Sequence, residues 1–294
     1  MHCDGVEIVP MMEKLKSSIV YKYTEQLTRR YREDDLAAIS AQIAYFLILS
    51  FFPFLFFLIN LLSFTHLSDR LLMANFRIIL PNDAAVLIKD ILAQTVQAKS
   101  TTILLLGMIG SLWAASQGML AIIRGLNHSY GVKESRNFLK LNSIALMATI
   151  GLNVMIIFSF FMIVFGRNLG SYVFGLMGAK TLFYSIWSFL RYSISLTLML
   201  VTFYVIYKYL PNKKLKSKNL IAGTVFTTFG WVLASLLFSF YVNNFTNYAI
   251  IYGSLGGIFA LIIWLYISTL VFLLGGELNA ISSSFTDKEN NNDP

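Results

Sequence analysis

Charge is what this sequence has least of. Only 13% of its 294 residues are Asp, Glu, Lys or Arg, where a soluble domain carries about a quarter. So few charges cannot cover a water-facing surface of this size, and the 56% hydrophobic fraction exceeds what a soluble core needs. Cysteine is nearly absent too. The single Cys3 lies in a polar N-terminal stretch, which excludes an intrachain disulfide framework, a Cys-x-x-Cys pair and a cysteine-built metal site. The three histidines, His2, His66 and His128, fall in separate segments, and no His-Glu-x-x-His, Walker loop or Gly-x-Ser-x-Gly elbow occurs. A metal-dependent hydrolase needs clustered carboxylates or histidines to hold its ion and activate water. Glu33, Asp34 and Asp35 are consecutive, so on a helix they fan out instead of converging. No catalytic residue, metal site or cofactor is therefore expected.

Acids are outnumbered, 15 against 23 Lys and Arg, for a net charge of +8. That balance suits nucleic acid or an anionic membrane surface, and only its placement along the chain decides. Residues 1–35 lack an apolar run, so no cleavable leader is expected. Instead Leu15, Ile19, Tyr23, Leu27 and Tyr31 recur every four residues among Lys and Arg. The spacing predicts an amphipathic helix in a cytoplasmic N-terminal segment. It either lies on the inner leaflet or packs on its own protein.

What the chain has in excess is apolar runs. A membrane span needs roughly 20 mainly apolar residues, and six stretches qualify: 36–64, 101–123, 141–165, 182–207, 220–241 and 254–281. Helices satisfy their own backbone groups in lipid. The predicted fold is therefore all-α and polytopic, a six-span membrane domain over 36–281. Before it comes the 1–35 segment, and after it a disordered cytoplasmic tail over 282–294. Residues 65–100 form a helical loop outside the membrane, broken at Pro81-Asn82-Asp83, which either lids a pathway or simply packs.

Lys and Arg number six in the N-terminal segment, four in 124–140, five in 208–219 and one in the tail, against six in the intervening loops. Basic residues collect on the cytoplasmic side, so both termini are expected there. Lys213, Lys214, Lys216 and Lys218 become topology anchors, not a nucleic-acid patch, which would interleave Arg and aromatics on a presented surface.

Polar groups inside spans are costly and so informative. The candidates for a substrate pathway or gate are Gln42, Pro53 and Asn60 in the first span, Gln117 in the second, Asn153 in the third, Arg191 in the fourth and Glu277 in the last. Pro53 kinks its helix, either to line a pathway or to fit packing. Gln117 and Asn153 are placed to bond across helices. Glu277 is either an interfacial carboxylate or a proton or cation ligand. Gly256, Gly257, Gly275 and Gly276 favour close helix packing.

Several of these residues stand in strings. They include Ala44-Tyr45-Phe46, Ser50-Phe51-Phe52-Pro53, Trp113-Ala114-Ala115-Ser116-Gln117-Gly118, Tyr207-Lys208-Tyr209-Leu210-Pro211-Asn212 and Gly275-Gly276-Glu277-Leu278-Asn279-Ala280. In order, over about residues 30–282, they resemble the YihY / virulence factor BrkB family of integral membrane proteins. Ala222-Gly223 stands where that family often has Pro-Gly. The resemblance implies a six-span cytoplasmic-membrane protein tied to the envelope, for which lipid or ion transport has been suggested. It also carries an old label as a tRNA-processing ribonuclease, regarded as mistaken. The functional expectation is translocation or handling of a lipid or ionic substrate. The alternatives are a non-transporting scaffold or envelope-assembly partner and, more weakly, the ribonuclease. Expected partners are membrane lipids, with a homo-oligomer or envelope protein as a further option, and no nucleic acid.

Overall fold

A computed structural model of the chain describes residues 19–64, 101–176, 180–245 and 256–292. Seven helices make up this set: α1 (Ile19–Glu33), α2 (Leu36–Phe64), α3 (Thr101–Ser129), α4 (Phe138–Leu176), α5 (Lys180–Tyr209), α6 (Ser217–Phe245) and α7 (Gly256–Asn292). Among the described residues there is no strand. Four helical stretches are long and apolar enough to cross a membrane: Leu105–Ser129, Phe138–Ile156, Ser217–Val242 and Gly256–Asp287. α2 and α5 coincide with the expected first and fourth spans, at 29 and 30 residues. α4 and α7 reach 39 and 37 residues. At ~1.5 Å per residue each is over 50 Å long, well beyond the ~30 Å of hydrocarbon.

Local chemistry sets the helix ends. Asp35 takes a φ of 48°, a left-handed conformation that aspartate tolerates, so α1 stops and α2 restarts two residues later. Its carbonyl accepts the amides of Ala38 and Ile39. α3 ends on Gly131, at φ 63°, where Val132 N donates to Asn127 O across the closing turn. This is the glycine-terminated geometry that satisfies late helical carbonyls. Asn137 caps α4, its side-chain oxygen accepting Lys140 N at 3.1 Å. α5 stops ahead of Pro211, as Leu210-Pro211-Asn212 led one to expect, since proline cannot continue the ladder.

Helices α2 to α7 form a closed ring, each packing on the next, with α7 returning to α2. α7 also touches α3 and carries α1 on its side. The buried hydrophobic core occupies one end of this ring. Leu36 and Ile43 begin α2, Ile123 and Leu126 finish α3, Leu220 begins α6, and Leu273 and Ile281 sit late in α7. Elsewhere large apolar side chains face outward, such as Leu106, Ile109, Leu236 and Phe240. An apolar exterior of this kind suits lipid.

Two expectations change. α1 presents a half-buried stripe of Tyr23, Gln26, Leu27 and Arg30, and Tyr23 stacks at 5.1 Å on Phe285 of α7. This helix thus packs on its own protein, one of the two arrangements its pattern allows. The tail from 282 is helical, not disordered, through Asn292, with Ser283 buried. The reason is that α1 offers it a surface to pack on. The helical loop expected over 65–100, Leu15 of the N-terminal pattern and the end of the tail at 293–294 lie outside the described residues.

Candidate functional site

The polar centre of the bundle starts from two glycines. α6 and α7 cross at Gly223 and Gly275, so closely that a Cβ on Gly275 would collide with Thr227 Oγ1 and the Tyr207 hydroxyl. One on Gly223 would strike the Gly275 carbonyl and Asn279. The space thus kept is filled by Tyr207 of α5. Its hydroxyl donates to Phe272 O at 2.6 Å and lies 2.6 Å from Thr227 Oγ1, while its ring stacks on Phe272 at 4.9 Å. Asn279 Oδ1 accepts Gly223 N at 2.8 Å. Three helices are thereby pinned by one phenol, one amide and the absence of two side chains.

One turn along α7 from Phe272, Glu277 is fully buried. An isolated carboxylate there would be untenable. Arg30 of α1 supplies the counter-charge, with Nη1 3.0 Å from Glu277 Oε2 and 3.1 Å from Ser129 O. Arg30 is 24% exposed and Glu277 wholly enclosed. The other oxygen, Glu277 Oε1, is enclosed with the buried Ser129 hydroxyl as its neighbour, a weak contact short of full hydrogen-bond geometry. The amide nitrogen of Asn219 has no partner among the described residues, and that of Asn279 makes only a weak contact with the Tyr130 hydroxyl. Tyr130, beside them, donates weakly to Tyr207 O at 3.4 Å. Burial pushes its phenol well above the ordinary value, and the Glu277 carboxylate adds to the shift.

Arg30 opens onto a cavity of about 360 Å³ at the end of the ring. Its wall includes Arg29, Asp34, His128, Ser129, Lys213 and Asp287. Arg29 and Glu33 pair at 3.6 Å, and His128 Nε2 lies 3.4 Å from Asp34 Oδ1. A clasp beside this vestibule ties the α3–α4 and α5–α6 loops together. Asn127 donates to Glu134 at 2.8 Å and accepts Asn212 N at 2.7 Å. Arg136 grips Glu134 through two donors, at 2.8 and 2.6 Å, and donates to Leu210 O at 3.0 Å. The fork holds Glu134 at a pKa of about 2.

α1, both of these loops and the end of α7 therefore meet at one end of the ring, as the charge count requires. Lys213, Lys214, Lys216 and Lys218 are exposed there. Of the predicted pathway residues whose side chains are described, only Glu277 enters the polar centre. α1 covers it and pairs it with Arg30. Gln42 is exposed on α2, opposite the buried Ile43. Asn153 donates to Thr149 O of its own helix at 2.8 Å, not across helices. Its short side chain finds that carbonyl one turn back without leaving α4. Gln117 is half-buried on α3. α2 continues through Pro53 and Asn60, and α5 through Arg191, but these three side chains lie outside the described residues. Sequence reasoning missed Arg30, Tyr207, Asn279 and the Glu134–Arg136 fork. A usable signal was the polar i, i+2 pair Glu277 and Asn279 behind two glycines. Among the described residues no three His, Cys, Asp or Glu side chains are grouped as metal ligands.

This centre is built largely from the Gly275–Ala280 and Tyr207–Asn212 strings, and a profile of the family described as "Virulence factor BrkB" matches residues 27–294. The chain belongs to the BrkB family. Among its relatives, the "Putative ribonuclease-like protein YfkH" of Bacillus subtilis is 39% identical over 259 residues, 88% of this chain and 94% of that protein. A "UPF0761 membrane protein" of Chromohalobacter salexigens is 26% identical over 92% of this chain and 65% of its own length. One from Pseudoalteromonas atlantica is 31% identical over 48% of this chain and 43% of its own. No solved structure matches. As a BrkB family member, the chain is a membrane protein.

Proposed function

We propose that this BrkB family protein spans the cytoplasmic membrane six times, with both termini inside. There it translocates or handles a lipid or ionic substrate in envelope maintenance. One observation carries the reading. A fully enclosed carboxylate, Glu277, is held in an apolar bundle by an arginine that itself lines an open vestibule. Ionisable groups at such depth are retained for pathways far more often than for stability. The pathway would run from the vestibule past Glu277. Gln117 of α3 is half-buried along the ring, and Pro53, Asn60 and Arg191 lie farther along α2 and α5. Membrane lipids are the partners this implies.

The test is flux of labelled phospholipid and of ions in proteoliposomes. Wild-type protein is expected to exceed empty vesicles, and Arg30→Ala to fall back to them. Wild-type flux equal to that of empty vesicles removes the transport reading.

A scaffold reading draws on a different observation. The bonds of Tyr207, Thr227, Asn279 and Thr269 all cross between helices and brace the ring. Stable co-purification of an envelope protein, or a stable homo-oligomer, with no flux would favour it. The ribonuclease reading has least support, and purified protein is expected to leave tRNA intact.

A further inference from the structure

We propose that the vestibule binds a phosphate ester on Arg30, and that this binding is coupled to uptake of one proton by Glu277. The coupling follows from the geometry. Among the described residues both bonds of Arg30 come from Nη1, with Nη2 and Nε uncommitted there on a side chain that lines the cavity. Lys213 lines it too, whereas Arg29 is engaged by Glu33 and Asp34 faces His128. A phosphate with two free oxygens matches the arginine fork better than a carboxylate reached through one nitrogen.

If Arg30 turns to such a ligand, Glu277 is left enclosed without a counter-charge, and the cheapest remedy is a proton from the vestibule water. Oε1, the oxygen that Arg30 does not bond, is the atom that can receive it, and the Ser129 hydroxyl beside it then turns from donor to acceptor of the new O–H. Charge balances. The pair Arg30⁺/Glu277⁻ becomes Arg30⁺/phosphate⁻ beside a neutral carboxylic acid.

The groups facing Glu277 permit this exchange. α1 and the residue after it contribute Arg30 and Asp34, the end of α3 contributes Ser129 with Tyr130 just past it, and α5 brings Tyr207 beside Tyr130. α2 has Tyr45 and α6 has Lys218 and Tyr241, all exposed. Among these, Arg30 is the cation bonded to Glu277. Asp287, also on the vestibule wall, disfavours ligands carrying more than a single negative charge.

The proposal rests on the vestibule being the mouth of the transport pathway. It is tested by binding, so absence of flux and absence of coupling remain distinguishable. Full-length protein in maltoside micelles, which carry no phosphate, is titrated with glycerophosphoglycerol and separately with short-chain phosphatidylglycerol. Neither phosphodiester changes charge near neutrality. Calorimetry in two buffers of different ionisation heat counts the protons taken up. The expected result is one proton per ligand and affinity that tightens up to about tenfold per unit fall in pH. Glu277→Gln should bind with no pH slope and no uptake. Arg30→Lys should bind more weakly with the slope kept, and Arg30→Ala should lose binding. Binding of both ligands assigns recognition to the ester alone, and binding of the lipid only assigns it to a headgroup held with its chains. Either upholds the proposal. Binding without proton uptake, a slope that survives in Glu277→Gln, or no binding of either ligand overturns it.

Discussion

At the scale of single residues, the polar centre balances enclosed charge against close backbone contact, and each can be perturbed separately. Arg30→Ala leaves Glu277 enclosed and unpaired, which is expected to destabilise the protein by about 3–5 kcal/mol. The double change Arg30→Met/Glu277→Leu should recover most of that loss, because an apolar pair avoids the desolvation that the ions suffer. Melting in detergent checks both. A double variant as unstable as the single one would mean that the pair holds α1 in place through more than charge. Tyr207→Phe keeps the stack on Phe272 but leaves Thr227 without its partner, for a loss of about 1–2 kcal/mol. Gly275→Ala is expected to be the harsher change. Its methyl group meets Thr227 and the Tyr207 hydroxyl together, and overpacking alone costs about 1–3 kcal/mol.

At the scale of elements, the loop clasp has a defined pH signature. Glu134 drops from an ordinary value near 4.5 to about 2 in the folded protein. A depressed carboxylate stabilises the fold above its unfolded value, and that contribution is lost as pH falls through the folded one. The melting temperature of wild type should therefore exceed that of Glu134→Gln near neutrality. The gap should close as pH falls from about 4.5 towards 2. A constant gap would place the stability of the clasp elsewhere, with Asn212 and its bonds to Lys133 O and Ser135 Oγ the next candidates.

The helices themselves were legible in the sequence, because long apolar runs report their own period and length. α2 begins and ends where its run does, and Pro211 stops α5. The site was not legible, because its parts are ordinary where they stand. Arg30 reads as one more base in a basic segment, Tyr207 as one more interfacial aromatic, and Asn279 as a polar residue near a helix end. Only the ring brings them within bonding distance, and periodicity within one helix says nothing about which distant helix closes on it. Gln42 shows the converse. An amide inside an apolar run looked like a pathway residue, and the helix turned it outward.

At the scale of the molecule, among the described residues the ring brings the basic segments of α1, the α3–α4 loop and the α5–α6 loop to one end. Placing that end in the cytoplasm predicts a labelling pattern. In a Cys3→Ser background, Ser135→Cys in the α3–α4 loop should be reached by impermeant maleimide only from the cytoplasmic side. Asn244→Cys, near the far end of α6, should be reached only from outside. The opposite pattern would invert the protein, and labelling of both from one side would mean fewer crossings than six.

Arg30 and Glu277 stand 247 positions apart, so synthesis delivers the cation long before its carboxylate. α7 is also the helix that returns the ring to α2. Until it is inserted, the nascent chain is an open arc with a charged arm waiting at one end. A chain that stops before Gly256 never receives Glu277, Thr269 or Asn279, and keeps an unclosed seam between α6 and α2. Closure of the ring is therefore a single event that waits for α7, and membrane proteases that survey unfinished chains would find the difference written in whether that arm is docked.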